Sequence, residues 1–441
     1  MNPPTYPELV RALFPRLTGG IRWGLERTRR MLAAVGDPQR SYRIVHVGGT
    51  NGKGSVAATV ESVLRADGRR TGLYTSPHLC TFRERIQVGG EPLSEAAIVR
   101  AAERLWPIFE EEGPTFFEAT TVLALLAFAE AGVEAAVIEV GLGGRLDATN
   151  VVTPEVVVLT NVALDHTDYL GSTLVEVARE KAGIIKAGVP VATAERGTET
   201  LEVFRRRAEE LGAPLRVLDP GEVRDAATGV DGTRYRLSDS VWGALDLHTP
   251  LIGLHQAQNT ALAVRALEML SPELRPGREA VLQGVGSTRV PGRLQVERVD
   301  GQSYVFDVAH NPAGAQVLAS ALAGLDVPRP IVFVVAVLAD KDHGSMLRIL
   351  QEVGDAVVLT DAPSAPSGRR WDLEVVAREG AWPGAEAVPD LAEALVRGAE
   401  LAAGGTVVVT GSFHTVGDAL IVLGRAPYGI DPPLPVSVAT V

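Results

Sequence analysis

The chain is short of several things, and each shortage removes a class of function. It has one cysteine, Cys80, in 441 residues. No intrachain disulfide is possible, which fits a reducing cytoplasm. It lacks a basic excess: 42 Lys and Arg stand against 54 Asp and Glu, a formal net charge of -12. That argues against a general nucleic-acid binder, which carries a basic surface. It does not exclude an anionic substrate, because the field in a cleft can oppose the global sign. No uninterrupted apolar run reaches membrane-spanning length. The first residues, MNPPTYPELV, lack a basic segment followed by an apolar one, so no signal peptide is read there. The expectation is a cytoplasmic protein with neither nucleic acid nor membrane as partner.

What is present is ordinary globular chemistry, 46% hydrophobic and 22% charged, with ample apolar surface for a core; the length suggests about two to four domains. Short apolar, β-branched runs alternate with helical patterns. SYRIVHV (41–47), TGLYTS (71–76), AAVIEVG (135–141), EVVVLTNV (155–162) and VPVATA (189–194) read as strands. TFFEATTVLALLAFAEAG and LVEVAREKAGIIKAG read as helices between them. Such alternation implies a parallel sheet covered by helices on both faces. The stretch from Leu215 to Leu251, rich in Asp, Gly and Thr, breaks the rhythm and reads as β-ribbon or loop. The rhythm restarts at SYVFDVAH, PIVFVVAVL, AVVLTDAP and TVVVTGS. Gly and Pro in GSTRVPGRLQV interrupt the pattern and mark a join. The expected fold class is α/β: a P-loop nucleotide-binding domain with a mostly parallel sheet over 1–289, then a smaller Rossmann-like α/β domain over 290–441.

The first strand runs into HVGGTNGKGSV, His46 to Val56. This resembles a phosphate-binding loop but lacks the Ser or Thr that normally follows the Lys. Gly54 stands between Lys53 and Ser55. The loop either holds ATP or is a glycine-rich turn of similar appearance. Its context favours ATP, since SVAATVESVLRADG after it is helical, and helix N-terminal amides point at phosphates. Lys53 would neutralise phosphate oxygens, and Ser55 could ligate Mg2+.

Four further groups stand near strand ends, where ligands bind in open α/β sheets. Ser76 ends TGLYTS, Glu139 lies near the end of AAVIEVG, Asp165 and His166 follow the next strand, and Lys181 lies in a helical pattern close behind. Each has an ordinary reading as well. Glu139 could be a solvated strand end, His166 a satisfied turn histidine, and Lys181, within a charged triplet, a solvated helix face. Together, a hydroxyl, a carboxylate and an imidazole beside a phosphate loop make a plausible Mg2+-nucleotide site. Lys181 could act as a point charge or be converted by CO2 to a carbamate; the residues alone do not choose.

The motifs GTNGKGS, SPHL with ERI, FFEATT, EVGLGGRLDATN, LDHTDYLG, EKAGIIK, PGRLQV, FDVAHNP, LADKD and GSFHTV occur in that order. The set resembles the folylpolyglutamate synthase and dihydrofolate synthase family of the Mur ligase superfamily, from about Gly24 to about Val416. That family's loop carries the extra glycine. The resemblance implies that Asn51, Gly52, Lys53, Gly54 and Ser55 hold the ATP phosphates. It implies further ATP contacts from Asn259, Arg293 and Asp307. Mg2+, as two ions, would be held by Ser55, Ser76, Glu139 and His166, with Lys181 carbamylated beside the metal site; a monovalent cation such as K+ is a further implied cofactor. Lys53, Lys181 and His310 would be the catalytic group, His310 lying near the nucleotide or the incoming glutamate. Ile21, Arg22 and Trp23, then Phe117, Glu118, Ala119 and Thr120, then Leu146, Asp147 and Ala148, match segments lining the pterin site of bifunctional members. Trp23 also reads as a core anchor for the first helix. Two departures, Val290 before PGR and RERI where TERI is more usual, touch no proposed ligand.

The implied reaction is ATP-dependent addition of L-glutamate to dihydropteroate and to reduced folates through an acyl phosphate. The second domain would bind glutamate and close on ATP, and the enzyme would be a monomer. A bifunctional enzyme is favoured over a folylpolyglutamate synthase alone. Two readings of other kinds stand beside it: a non-catalytic P-loop switch, which the second domain and the ordered ligands oppose, and a Mur-type ligase of cell-wall peptide, whose loop would lack Gly54.

Overall fold

The computed structural model describes residues 5–13 and 23–431. Ile21 and Arg22, expected at the pterin site, lie outside the described residues. The chain divides into two compact units. Of the described residues, one contains 5–13, 23–218, 262–284 and 428–431. The other contains 219–261 and 285–427.

The first unit is built on eight strands: β1 (Arg43–Gly48), β2 (Thr71–Tyr74), β3 (Ile86–Val88), β4 (Glu91–Pro92), β5 (Ala135–Glu139), β6 (Val156–Leu159), β7 (Val191–Thr193) and β8 (Leu215–Val217). Their order in the sheet is β4-β3-β2-β5-β1-β6-β7-β8. All neighbours run parallel except the β2–β3 and β3–β4 pairs. β1 is central, with Val45 opposite Val137 on one side and Val156 on the other. Every β1 residue after Arg43 is buried, which is why the strand reads as continuously apolar rather than alternating.

Its first helices are α1 (Tyr6–Leu13), α2 (Glu26–Ala34), α3 (Lys53–Ala66), α4 (Glu95–Glu112) and α5 (Phe116–Glu130). α5 carries no polar face: every residue from Glu118 to Phe128 is buried. A helix apolar all round belongs inside, and α5 packs with α1, α2 and α4 against Ile44, Tyr74 and Ile138 of the sheet. Its start is set by Thr115, whose hydroxyl accepts from the Glu118 amide while the Glu118 carboxylate accepts in return. Across the sheet's other half, α6 (Thr167–Leu170) is a single turn. It is followed by α7 (Leu174–Ala182) and α8 (Thr198–Glu210). Ala178, Ala182 and Phe204 of these helices pack on Val157, Leu159 and Val191. The helix read through IIKAG stops instead at Ala182, and Ile184 and Ile185 turn into the core.

In the second unit, β9 (Val223–Gly229), β10 (Gly232–Ser240) and β11 (Gly243–Thr249) form an antiparallel sheet in the order β11-β10-β9. This is the stretch read as β-ribbon or loop. β10 and β11 bury Tyr235, Leu237, Leu245 and Leu247 on one face and leave Arg234, Arg236 and Asp246 outside. Helix α9 (Leu254–Glu268) and helix α10 (Arg278–Gly286) follow; α9 passes into the first unit at Leu262 and α10 belongs to that unit up to Gly284. A six-stranded sheet then combines β12 (Gln295–Val299), β13 (Gln302–Phe306), β14 (Ile331–Val335), β15 (Ala356–Leu359), β16 (Glu386–Ala387) and β17 (Thr406–Thr410). The order is β12-β13-β17-β14-β15-β16, with only β12 antiparallel to its neighbour. Helices over 312–324, 343–351, 373–379, 391–402 and 413–422 connect and cover it. Among the described residues, no helix is long and apolar enough to cross a membrane.

Candidate active site

The glycine-rich loop leaves β1 at Gly48 and enters α3 at Lys53. Two backbone positions decide its shape. Gly49 sits at φ +137°, and a Cβ there would lie 1.8 Å from the Thr160 hydroxyl. Gly52 sits at φ +82° and begins the helix with no side-chain cap. Only glycine adopts these angles without strain. The loop is laced to the end of β6. Thr50 N–H donates to the Asn161 carbonyl at 2.9 Å, Asn51 N–H to Asn161 Oδ1 at 3.0 Å, and the Thr160 hydroxyl to the Asn51 carbonyl at 2.7 Å. Lys53 is helical, not part of the loop as its position after Gly52 suggests, and its Nζ donates to the Thr50 carbonyl at 3.0 Å. An uncapped helix start beside a cation is the arrangement that binds phosphate.

Glu139 ends β5 and is only 4% exposed, so the solvated strand-end reading does not hold. Its Oε2 accepts the Ser76 N–H at 3.1 Å. A Cβ on Gly54 would stand 3.8 Å from that oxygen. This sets the carboxylate against the first turn of α3, where Ser55 is buried.

Lys181 is 2% exposed, so the solvated-face reading fails as well. Its Nζ donates to the Gly49 carbonyl at 2.9 Å. Burial, reinforced by Lys53 and opposed by Asp165, pushes its ammonium down to about 7. Burial alone would drive an unpaired lysine toward the neutral amine. His166 adopts φ +50° as the residue before α6. Its N–H donates to Asp165 Oδ1 at 2.9 Å, and its Nε2 stands 3.9 Å from the same oxygen.

Among the described residues, no three or more His, Cys, Asp or Glu side chains converge to hold a metal by themselves. What the structure brings to the first turn of α3 is the Glu139 carboxylate, with the Ser76 backbone bonded to it and Ser55 buried in that turn. That set fits Mg2+, which prefers oxygen and is held through one or two carboxylates plus substrate phosphates.

The expected pterin segments lie on α5 and on the loop after β5. Trp23 is 44% exposed and stands 6.5 Å, ring to ring, from Tyr169. It is not a core anchor. Phe117 lies 6.2 Å from the Tyr74 ring, and Thr120 Oγ1 meets the Tyr74 hydroxyl at 3.0 Å. Glu118 is committed to its helix cap and to Arg27 at 2.8 Å, and Ala119 is fully buried. Leu146 is half-buried and Ala148 buried. The buried Asp147 accepts from Leu142 N–H at 2.8 Å and Thr149 N–H at 2.9 Å, and burial raises its carboxyl. Thr149 in turn meets His46 Nε2 at 2.9 Å. The sequence gives no sign that His46, inside β1, belongs to this polar chain.

In the second unit, Asp307 follows β13. Its Oδ2 accepts from Leu294 N–H and its Oδ1 from Ala309 N–H, each at 2.9 Å. This holds Leu294 at φ +47°, which costs energy for a branched side chain. Burial raises the Asp307 carboxyl, with Arg293 opposing. The Arg293 guanidinium lies over the Phe413 ring at 5.2 Å, and His310 lies 5.9 Å from the same ring. His310 Nδ1 stands 2.9 Å from the Val308 carbonyl. A carbonyl only accepts, so Nδ1 carries the proton and Nε2 is the basic nitrogen. Asn259 Nδ2 donates to Gln256 Oε1 at 3.0 Å. His255, which the motifs did not single out, is pushed down to about 4 by burial and by Arg293.

Comparison with known proteins gives the family. Residues 47–267 match the Mur ligase middle domain, and residues 292–413 the Mur ligase glutamate ligase domain. The fold and the phosphate loop define an ATP-dependent ligase of the Mur class. A Bacillus subtilis protein named dihydrofolate synthase/folylpolyglutamate synthase is 37% identical over 78% of this chain and 82% of its own. Mycobacterium tuberculosis folylpolyglutamate synthase complexed with ADP superposes with a TM-score of 0.88 at 35% identity, covering 96% of this chain and 98% of that one. E. coli FolC in complex with DHPP and ADP gives 0.82 at 31% identity, covering 96% and 99%. The chain belongs to the dihydrofolate synthase/folylpolyglutamate synthase family.

Proposed function

We propose that this protein joins L-glutamate both to dihydropteroate and to reduced folates, at the expense of ATP. One observation carries the reading: Ser76, Glu139 and the buried Lys181 meet at the phosphate loop of a chain of this family. A carboxylate is a poor electrophile, and hydroxide leaves badly. Transfer of the γ-phosphoryl group to the acceptor carboxylate gives an acyl phosphate and ADP. The glutamate amine then attacks the acyl carbon, and phosphate departs.

Lys53 and the N-terminal amides of α3 are assigned to the ATP phosphates, with Asn51, Gly52, Gly54 and Ser55. Ser55, Ser76, Glu139 and His166 would hold Mg2+, which when bound neutralises charge on the phosphoryl group. Asn259, Arg293 and Asp307 are assigned to ATP. His310 Nε2 is the base offered to the glutamate ammonium, which must lose a proton before it attacks. Lys181 is assigned as a carbamate: its amine takes up CO2 and releases a proton, replacing a cation that Lys53 repels with an anion that Lys53 attracts. High-resolution electron density at Nζ tests this, and a bare ammonium with metal bound would count against it.

Trp23, Phe117, Thr120, Leu146 and Ala148 are assigned to the pterin. Two Mg2+ ions, a monovalent cation such as K+, a monomeric state, a cytoplasmic location and a domain join at 289–290 complete the reading. The test offers ATP and glutamate with dihydropteroate or with tetrahydrofolate, and follows ADP and product mass. Both acceptors are expected to gain one glutamate. Product from tetrahydrofolate alone would leave a folylpolyglutamate synthase, and product from neither would sink the proposal.

A further inference from the structure

The loop from Ser76 to Arg85 has a proposed metal ligand at its start, and its middle is tied to the far end of the chain. Asp431 makes the tie. Its Oδ1 accepts from the Thr81 hydroxyl at 2.7 Å and the Tyr6 hydroxyl at 2.8 Å, and its Oδ2 accepts from Phe82 N–H at 2.6 Å. Its own N–H donates to the Cys80 carbonyl at 3.3 Å. Arg83 donates to the Tyr428 carbonyl at 3.2 Å.

These bonds fall at the point that determines the loop's shape. Thr81 caps the 3-10 turn Phe82–Arg85. Glu84 of that turn accepts from Leu79, Cys80 and Thr81 N–H at 2.7, 2.8 and 2.9 Å. Arg85, buried, donates from Nε to His78 Nδ1 at 2.8 Å, and its carbonyl accepts from Thr75 N–H at 3.1 Å. Asp431 therefore sets Thr81, Thr81 sets the turn, and the turn holds residues 75–81 from both ends. Hydrogen bonds to a charged carboxylate are the stronger kind, and three converge on this one.

We infer that the segment Tyr428–Asp431 is a strap that positions the active-site loop, with Asp431 as a positioning residue for the ligase reaction. The link to the reaction rests on the reading of Ser76 as a metal ligand. The chain supplies its own reporter, because its single cysteine, Cys80, is buried within the loop. The test uses the full chain without ligands and follows labelling of Cys80 by an aromatic disulfide reagent. The Mg2+ concentration for half-maximal ligase activity and the melting temperature are measured beside it.

Asp431→Asn is expected to raise the labelling rate and the Mg2+ requirement at least about tenfold each, since a charge-assisted bond network is lost. A chain ending after Pro427 should behave the same way, and one ending after Asp431 should behave as the full chain. Leu347→Ala, a core change in the other unit, controls for general loosening. Wild-type labelling in Asp431→Asn overturns the strap. So does Leu347→Ala if, at an equal fall in melting temperature, it reproduces both effects. Should Asp431→Asn fail to fold, Thr81→Val removes one of the bonds and is read by the same two measurements. Ser76→Ala separates the readings: an unchanged Mg2+ requirement there sinks the metal assignment, and the thiol rate alone then decides the strap.

Discussion

Lys53 sits at the first position of α3, half-buried, with its ammonium folded onto the Thr50 carbonyl. Nothing in the core depends on it, so Lys53→Ala should melt within about a degree or two of the parent, as substitutions away from packing do. Turnover should fall by at least about a hundredfold, the usual loss when a charge-stabilising donor is removed. Steady-state kinetics beside a thermal melt checks this, and near-normal activity would take the phosphate loop out of the mechanism. Trp23 offers a different kind of test. Its exposed ring beside Tyr169 suits a flat heterocycle. Trp23→Ala should raise KM for dihydropteroate about tenfold, the scale of a lost aromatic contact. KM for ATP should stay unchanged and polyglutamation should suffer less. Equal losses for both acceptors, tracking a large fall in melting temperature, would make Trp23 structural. At this scale the sequence displayed which residue types were present, but not their exposure. Lys181 and Glu139 each had a surface reading beside the site reading and are buried; Trp23 had a core reading beside the pterin reading and is exposed.

Elements meet where small residues let them. Gly284 of α10 faces α3 so closely that a Cβ would lie 2.3 Å from Val63 Cα, and its carbonyl accepts from the Ser62 hydroxyl at 2.8 Å. Gly284→Ala must push α10 off α3, at a cost of about 2 kcal/mol or more. Calorimetry should show the lower melting temperature. A wild-type melt would mean the helices have slack. The elements themselves were legible because their periods differ: continuous β-branched runs for buried parallel strands, apolar residues at helical spacing for the segments between them. Ends were less so. α3 begins at Lys53 rather than Ser55 because Gly52 in the left-handed region starts the helix, and a backbone angle leaves no mark beyond the glycine itself.

Each unit encloses a neutral histidine: His46 in β1, pushed down to about 3 by burial and then Lys186, and His255, pushed down to about 4. A folded-state value below the unfolded one, about 6.5, means the unfolded chain binds more protons in between. The stabilisation is therefore complete above about pH 6.5 and is lost as pH falls through 5 toward 4 and 3. Buried carboxyls such as Asp147 and Asp307, whose values are raised, act in the opposite sense. The comparison is therefore made between the wild type and His46→Gln. Urea unfolding from pH 7.5 to 5 should show a shallower loss in the variant, by up to one proton per molecule. Identical slopes would mean that His46 is already accessible to protons in the folded state.

The sequence alone determined the class of fold, the long central strands, the glycine-rich loop and the family, because each rests on local period or on residues adjacent in the chain; the short strands β3, β4, β8, β12 and β16 were not read, having too few residues to show a period. The tertiary structure decided what depends on contacts between distant segments. It interleaved 262–284 and 428–431 with the first unit, buried Lys181 against Gly49 and brought Asp431 to Thr81. Burial and proximity are sums over many residues far apart in sequence. They fix which of two identical side chains is solvated and which is held, charged or neutral, at a site.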